Sequence, residues 1–149
     1  MSQTYIGSTL RTGSGTLTDS TDGGFVVVSQ TTTVTTAAAG TATSATLTIP
    51  ASAQIINILI DTVQLQVIGA GTATTMPVTV GTAAAGTQYV SATDAIAGGR
   101  VALTFTAAQL AAMADVGANQ SVVITADPNG TVVTTQAIYR LTVAYAQKV

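Results

Sequence analysis

The stretch Thr43-Ser44-Ala45-Thr46-Leu47-Thr48-Ile49-Pro50 decides the fold class. Ala45, Leu47 and Ile49 fall on one side of an extended chain, and Thr46 and Thr48 fall on the other. This period of two belongs to a strand with one buried face. Pro50 has no amide N–H to give to a ladder and ends the strand. Reading outward, residues 25–30 lead into a threonine tract up to Thr36, and residues 37–43 make a small-residue loop. Met76, Val78 and Val80 share a face, as do Val101, Leu103 and Phe105, and residues 88–93 and 121–126 are further short strands. The last strand, about 134–147, sets Tyr139, Leu141, Val143 and Tyr145 against Ile138, Arg140, Thr142 and Ala144. Between them, Asp127-Pro128-Asn129-Gly130 carries strong turn chemistry and predicts a hairpin.

Residues 54–68 form the longest candidate strand, and their pattern changes phase. Ile56, Ile58 and Ile60 share a face opposite Asn57 and Asp61, whereas Val63, Leu65 and Val67 share the other. Strict alternation cannot do this without an extra residue or a change of sheet, so we expect a bulge near Asp61–Thr62 or a strand that crosses between sheets or subunits. One helix is expected, over 106–116. Thr106 and Gln109 make a T-x-x-Q capping box, Phe105 and Leu110 a hydrophobic staple, and Gly117 the stop. Leu110 with Met113 or Ala114 would be its apolar stripe, plugging an end or edge of a sheet. About eight strands with one short helix read as an all-β sandwich or barrel.

Composition narrows the function. The chain has 149 residues, enough for one domain that buries its own core. Only 7% of residues are charged, with six aspartates, no glutamate and four basic residues. An average soluble protein carries about 25%. Four scattered basic residues cannot neutralise a run of phosphates or hold an anionic membrane, so neither nucleic acid nor membrane is an expected partner. The apolar run from Ile55 to Val67 is too short and too polar to span a bilayer. Met1-Ser2-Gln3-Thr4 offers neither a basic start nor an apolar run, so no secretion signal is expected. About thirty threonines replace the charges. A β-prone chain with so few charges is an aggregation hazard unless partners cover its surfaces.

Catalytic chemistry finds little to work with. The chain has no histidine and no cysteine, which excludes Ser-His-Asp and Cys-His nucleophiles, disulfides and the usual zinc sites. Asp19 and Asp22 lie in a Gly/Thr loop too poor in oxygen ligands for a good calcium site. Gly13-Ser14-Gly15 and Gly98-Gly99-Arg100 lack the strand–loop–helix setting of a phosphate loop. We expect no enzyme activity and no cofactor. Asp94 and Arg100 are expected to close their loop as an ion pair, with a partner contact as the other possibility. Asp61 is expected to mark the bulge or to face a neighbouring subunit. Residues 1–24 are rich in Gly, Ser and Thr and read as an extended arm, with Tyr5, Ile6, Leu10 and Arg11 as candidate anchors, ahead of a domain over 25–149.

Several stretches resemble a known family when taken together. They are Phe25-Val26-Val27-Val28-Ser29-Gln30, the run from Ala45-Thr46-Leu47-Thr48-Ile49-Pro50 through Ala51-Ser52-Ala53-Gln54-Ile55, Val80-Gly81-Thr82-Ala83, Ala97-Gly98-Gly99-Arg100, and Tyr139-Arg140-Leu141-Thr142-Val143-Ala144-Tyr145. Over residues 25–147 the pattern resembles the capsid decoration, or cement, proteins of tailed bacteriophages. The resemblance implies a jelly-roll-like sandwich on the capsid surface of the virion, tying neighbouring major capsid subunits together. It also implies self-association, as a homotrimer rather than a dimer. The alternative is a head or tail fibre or spike component that touches the host, which favours exposed aromatics; Tyr5 and Tyr89 are the candidates.

Overall fold

A computed structural model of the chain describes residues 11–12, 15–16, 25–37, 40–65, 74–114, 116–130 and 135–148. Two short segments, β1 (Arg11–Thr12) and β2 (Gly15–Thr16), pair antiparallel with each other, apart from the other sheets. Seven longer strands follow: β3 (Phe25–Thr35), β4 (Thr43–Ile49), β5 (Ala53–Gln64), β6 (Pro77–Gly81), β7 (Val90–Asp94), β8 (Gln120–Ala126) and β9 (Ile138–Lys148). One helix, α1 (Ala107–Ala114), lies between β7 and β8. The strands form two antiparallel sheets, ordered β3-β9-β5 and β4-β8-β6-β7. The chain is therefore the all-β sandwich that the alternation predicts.

The strand expected over 100–105 forms no ladder. Its start makes one antiparallel bridge, Arg100 to Asp61, on the outer edge of β5. There the Thr62 amide donates to the Gly99 carbonyl at 2.8 Å and the Val101 amide to the Ile60 carbonyl at 2.9 Å. Beyond it, Val101 is buried, and Leu103 and Phe105 pack partly buried against the core. The apolar alternation is satisfied by packing alone. Gly98 and Gly99 turn the chain into this bridge with φ of +78° and +77°, values that side chains with a Cβ rarely adopt. A Cβ on Gly98 would also stand 2.6 Å from the Leu65 side chain.

The core lies between the sheets. The three-stranded sheet contributes Tyr139, Leu141, Val143 and Tyr145 from β9, Ile55, Ile58 and Ile60 from β5, and Val34 from β3. Facing them are Leu47 and Ile49 of β4, Val122, Ile124 and Ala126 of β8, Val78 and Val80 of β6, and Val90 of β7. Threonines fill the alternate positions, as the period of two requires.

β5 carries the bulge expected near Asp61–Thr62 and a second one besides. Pairing with β9 is regular through Asp61–Arg140 and Thr62–Tyr139, and the register shifts just beyond, between Thr62 and Gln64; the further shift lies between Ile55 and Asn57. The shift after Ile55 sets Ile56 outside while Ile55, Ile58 and Ile60 stay buried, and the shift after Thr62 exposes Val63. Two bulges thus do the work assigned to one, and the strand stays in one sheet.

The hairpin expected at residues 127–130 is absent. β8 and β9 belong to different sheets. Asp127 and Asn129 extend the pairing of β8 instead: the Asp127 amide donates to the Pro77 carbonyl at 3.0 Å and the Asn129 amide to the Thr75 carbonyl at 3.2 Å. Ladder bonds to 75–77 outweigh the local turn chemistry.

The helix forms as its cap dictates. The Thr106 amide donates to Gln109 Oε1 at 2.8 Å, and the Gln109 amide to Thr106 Oγ1 at 3.3 Å. Its buried stripe is Gln109 and Met113, one turn apart, whereas Leu110 is 54% exposed. The expected Leu110 stripe is thus displaced by one residue. Gln109 can be buried because its amide nitrogen donates to the Thr87 carbonyl at 3.1 Å and to Ser91 Oγ at 3.0 Å.

Leu141 is fully buried on the central strand. Leu141→Ala is expected to destabilise the fold by about 2–5 kcal/mol in denaturant unfolding, and Thr142→Ala on the opposite face by less than about 0.5 kcal/mol. Equal losses would contradict the assignment of faces.

Candidate functional site

The two outer faces of the sandwich differ. On the four-stranded sheet, Gly81, Val123 and Thr125 point away from the core and are nevertheless buried. Residues 82–88 lie across them. The Ala85 amide donates to Thr125 Oγ1 at 2.8 Å, and Thr125 Oγ1 also lies 2.8 Å from Ser44 Oγ. A Cβ on Gly81 would meet the Gly86 backbone at 2.5 Å, which shows how closely this loop is laid down. The molecule covers the centre of this face with its own chain, and Thr46 and Thr48 of β4 stay exposed beside it.

No described segment covers the outer face of the three-stranded sheet. Val27, Ser29, Thr31, Thr33 and Thr35 of β3 are all exposed there, Val27 at 66%. Beside them in register stand Ala146, Ala144, Thr142 and Arg140 of β9. Asn57, Leu59 and Asp61 of β5 continue the rows past Ala144, Thr142 and Arg140. Exposed Ile56 and Val63, lifted by the two bulges, stand toward either end. The result is an open surface made mostly of hydroxyls, methyls and small side chains.

Its charges gather at one point. Arg100 Nε donates to Asp61 Oδ1 at 2.8 Å and its Nη2 to Oδ2 at 3.3 Å, while Arg140 Nη2 donates to Oδ2 at 3.3 Å. One carboxylate thus holds two guanidinium groups and leaves a net single positive charge. Hydrogen bonding from Arg100, aided by Arg140, holds the Asp61 carboxyl below the usual carboxylate range. The cluster ties the bridge at Arg100 to β5 and β9. Asp61 finds its partners inside the chain, just before the bulge at Thr62–Gln64.

The expected Asp94–Arg100 ion pair does not form. Asp94 Oδ1 instead accepts the Met76 amide at 2.8 Å and the Ile96 amide at 3.1 Å. Arg100 reaches Asp61, 39 residues away in sequence, because the bridge at Gly99–Val101 sets them side by side. Tyr5, Ile6 and Leu10 lie outside the described residues, as do Asp19 and Asp22; of Arg11 only the backbone is described, opposite Thr16. Tyr89, a candidate for host contact, is only 2% exposed.

A second concavity of about 380 Å³ runs beside α1, lined by Thr87, Gln88, Ser91, Thr106, Ala108, Gln109 and Ala112. The Gln109 amide in its wall is already bonded within the protein. Tyr139 is the most perturbed titratable group described, pushed up to about 12 by burial and by the Asp94 charge. It lies in the core, where its hydroxyl donates to the Ala95 carbonyl at 3.4 Å. Among the described residues no three carboxylates converge on a metal-sized site, and no helix is long and apolar enough to cross a membrane. No protein-family model, curated protein or solved structure matches the chain.

The depressed Asp61 value fixes the sign of a pH effect. Its ion pairs stabilise the fold above the ordinary carboxylate value of 3.8, and this contribution is lost as pH falls through the lower folded value. Asp61→Asn is expected to lower the melting temperature at pH 7 by about 2–3 °C, a partly exposed cluster contributing modestly. The gap between variant and parent should close below pH 3.8. A gap that persists unchanged in acid would remove the ion pairs from the account.

Proposed function

We propose that this chain is a non-catalytic structural protein of a tailed-phage virion, which binds the outer surface of the assembled capsid and stabilises it by bridging major capsid subunits. One observation carries the reading: among the described residues the outer face of the three-stranded sheet is open, while residues 82–88 cover the centre of its counterpart. The exposed apolar side chains on and beside it, Val27, Ile56 and Val63, favour contact with a partner. A protein that binds only the closed shell stabilises it by mass action, and many copies on one lattice gain by multivalency.

We read the sandwich as a jelly roll with a minimal eighth strand. The orders β3-β9-β5-(99–101) and β4-β8-β6-β7 support this, because they are two four-membered antiparallel sets in which the last strand, β9, pairs beside the first, β3, and the second-last, β8, beside the second, β4. That topology is used widely in viral capsid domains, although fold alone does not assign function. The resemblance over residues 25–147 points the same way. Residues 1–24 are assigned as a tether to a neighbouring subunit, through Tyr5, Ile6, Leu10 and Arg11. The fibre or spike alternative loses Tyr89 as a contact, since it is buried.

The test is co-sedimentation with capsids lacking the protein. Thr142→Glu with Ala144→Glu, at the centre of the open face, is expected to weaken binding at least about tenfold without loss of fold, because an unpaired charge would be buried at the contact. Thr46→Glu, exposed on the other sheet, is expected to bind like the parent. Absence of parent binding, or equal loss from both variants, would overturn the reading.

A further inference from the structure

The two edges of the three-stranded sheet are treated differently. The β5 edge is interrupted by two register shifts and closed in the middle by the bridge to Arg100. These are devices by which proteins prevent edge pairing. Among the described residues the β3 edge has none of them. Its eleven residues pair with β9 in unbroken register from Phe25 to Thr35, and the stretch contains no charge and no proline.

The bonds at its end show which backbone groups it offers. The Thr36 amide turns toward β9 and donates to the Ala137 carbonyl, whereas the Thr35 carbonyl turns away and accepts the Thr43 hydroxyl at 2.9 Å. Alternation then directs the amides and carbonyls of Val27, Ser29, Thr31 and Thr33 to the open edge. The same four residues present their side chains on the outer face.

We propose that β3 pairs antiparallel with β3 of a second copy about a two-fold axis near Gln30, joining two three-stranded sheets into one of six strands. The occupant is a second copy because the other described edges do not match. β4 has seven residues and β7 five, against eleven in β3. Self-pairing also sets no like charges opposite each other, which an edge bearing Lys or Asp would do at the dyad. The two-fold stands perpendicular to the sheet, so both open faces point the same way and the docking surface doubles. The dimer stands independently of what that surface binds. It differs from the trimer that the family resemblance implies.

The experiment is sedimentation equilibrium of the full chain beside Thr31→Pro and a form starting at Phe25. Proline at residue 31 removes an amide from the open edge and none from the β3–β9 ladder, a position where edge strands tolerate it. The parent and the shortened form are expected at twice the chain mass, and Thr31→Pro at the monomer mass with its circular dichroism unchanged. As a second measurement that does not depend on the proline variant folding, Thr31→Cys, the sole thiol in the chain, should be linked into a dimer by a short bis-maleimide. Leu110→Cys, also exposed, should give at least tenfold less. A monomeric or trimeric parent, a dimer that survives Thr31→Pro, a dimer lost only on removing residues 1–24, or equal cross-linking at both cysteines would each overturn the proposal.

Discussion

β9 is the strand on which the rest of the structure depends. It pairs with β3 over eleven positions and with β5 along nearly its whole length. Its period of two sets the faces of both neighbours: Tyr139, Leu141 and Val143 define what is inside, and Arg140, Thr142 and Ala144 what is outside. A slip of one residue would exchange the two sets, so the buried tyrosines and aliphatic residues fix the register strongly. The bulges of β5 follow from that constraint. The first keeps Ile55 on the buried side with Ile58 and Ile60, where strict alternation would carry it out of phase, and the second sets Val63 outside.

The scarcity of charge acquires a structural meaning once the faces are separated. A neutral sheet surface costs the protein solubility and invites unwanted pairing. The molecule meets that hazard locally on two of its boundaries, with residues 82–88 over the centre of one sheet, and bulges and the Arg100 bridge at the β5 edge. Among the described residues it leaves the β3 edge and the adjoining face open. Such unequal treatment of similar surfaces is what a protein designed to be partly covered by others requires. The Asp61 cluster then acts as a fixed point, holding three segments together.

What the sequence made legible was local. The alternation of Thr43–Ile49 ended by Pro50, and the capping box of Thr106 and Gln109, each depend on neighbours within a few residues, and both appear as read. What it hid was set by distant partners. Nothing near Asp61 reveals Arg100 or Arg140, and the further bulge, between Ile55 and Asn57, follows from register with β9, which lies far along the chain. The turn signal at residues 127–130 is chemically sound and is overridden by pairing with 75–77. Gln109 looked like a cap residue alone, yet its burial rests on Thr87 and Ser91. The outer face of the three-stranded sheet was legible as a set of alternate residues; that it stays open among the described residues while the centre of the other face is covered was not, because the covering loop carries no pattern of its own.

Immunogold labelling of intact virions from the source, with antibody against this chain, would locate the protein. A protein bound over the capsid surface, as proposed, gives gold spread evenly over the head. Gold confined to one vertex or to the tail, or no gold on any particle, would rule that placement out.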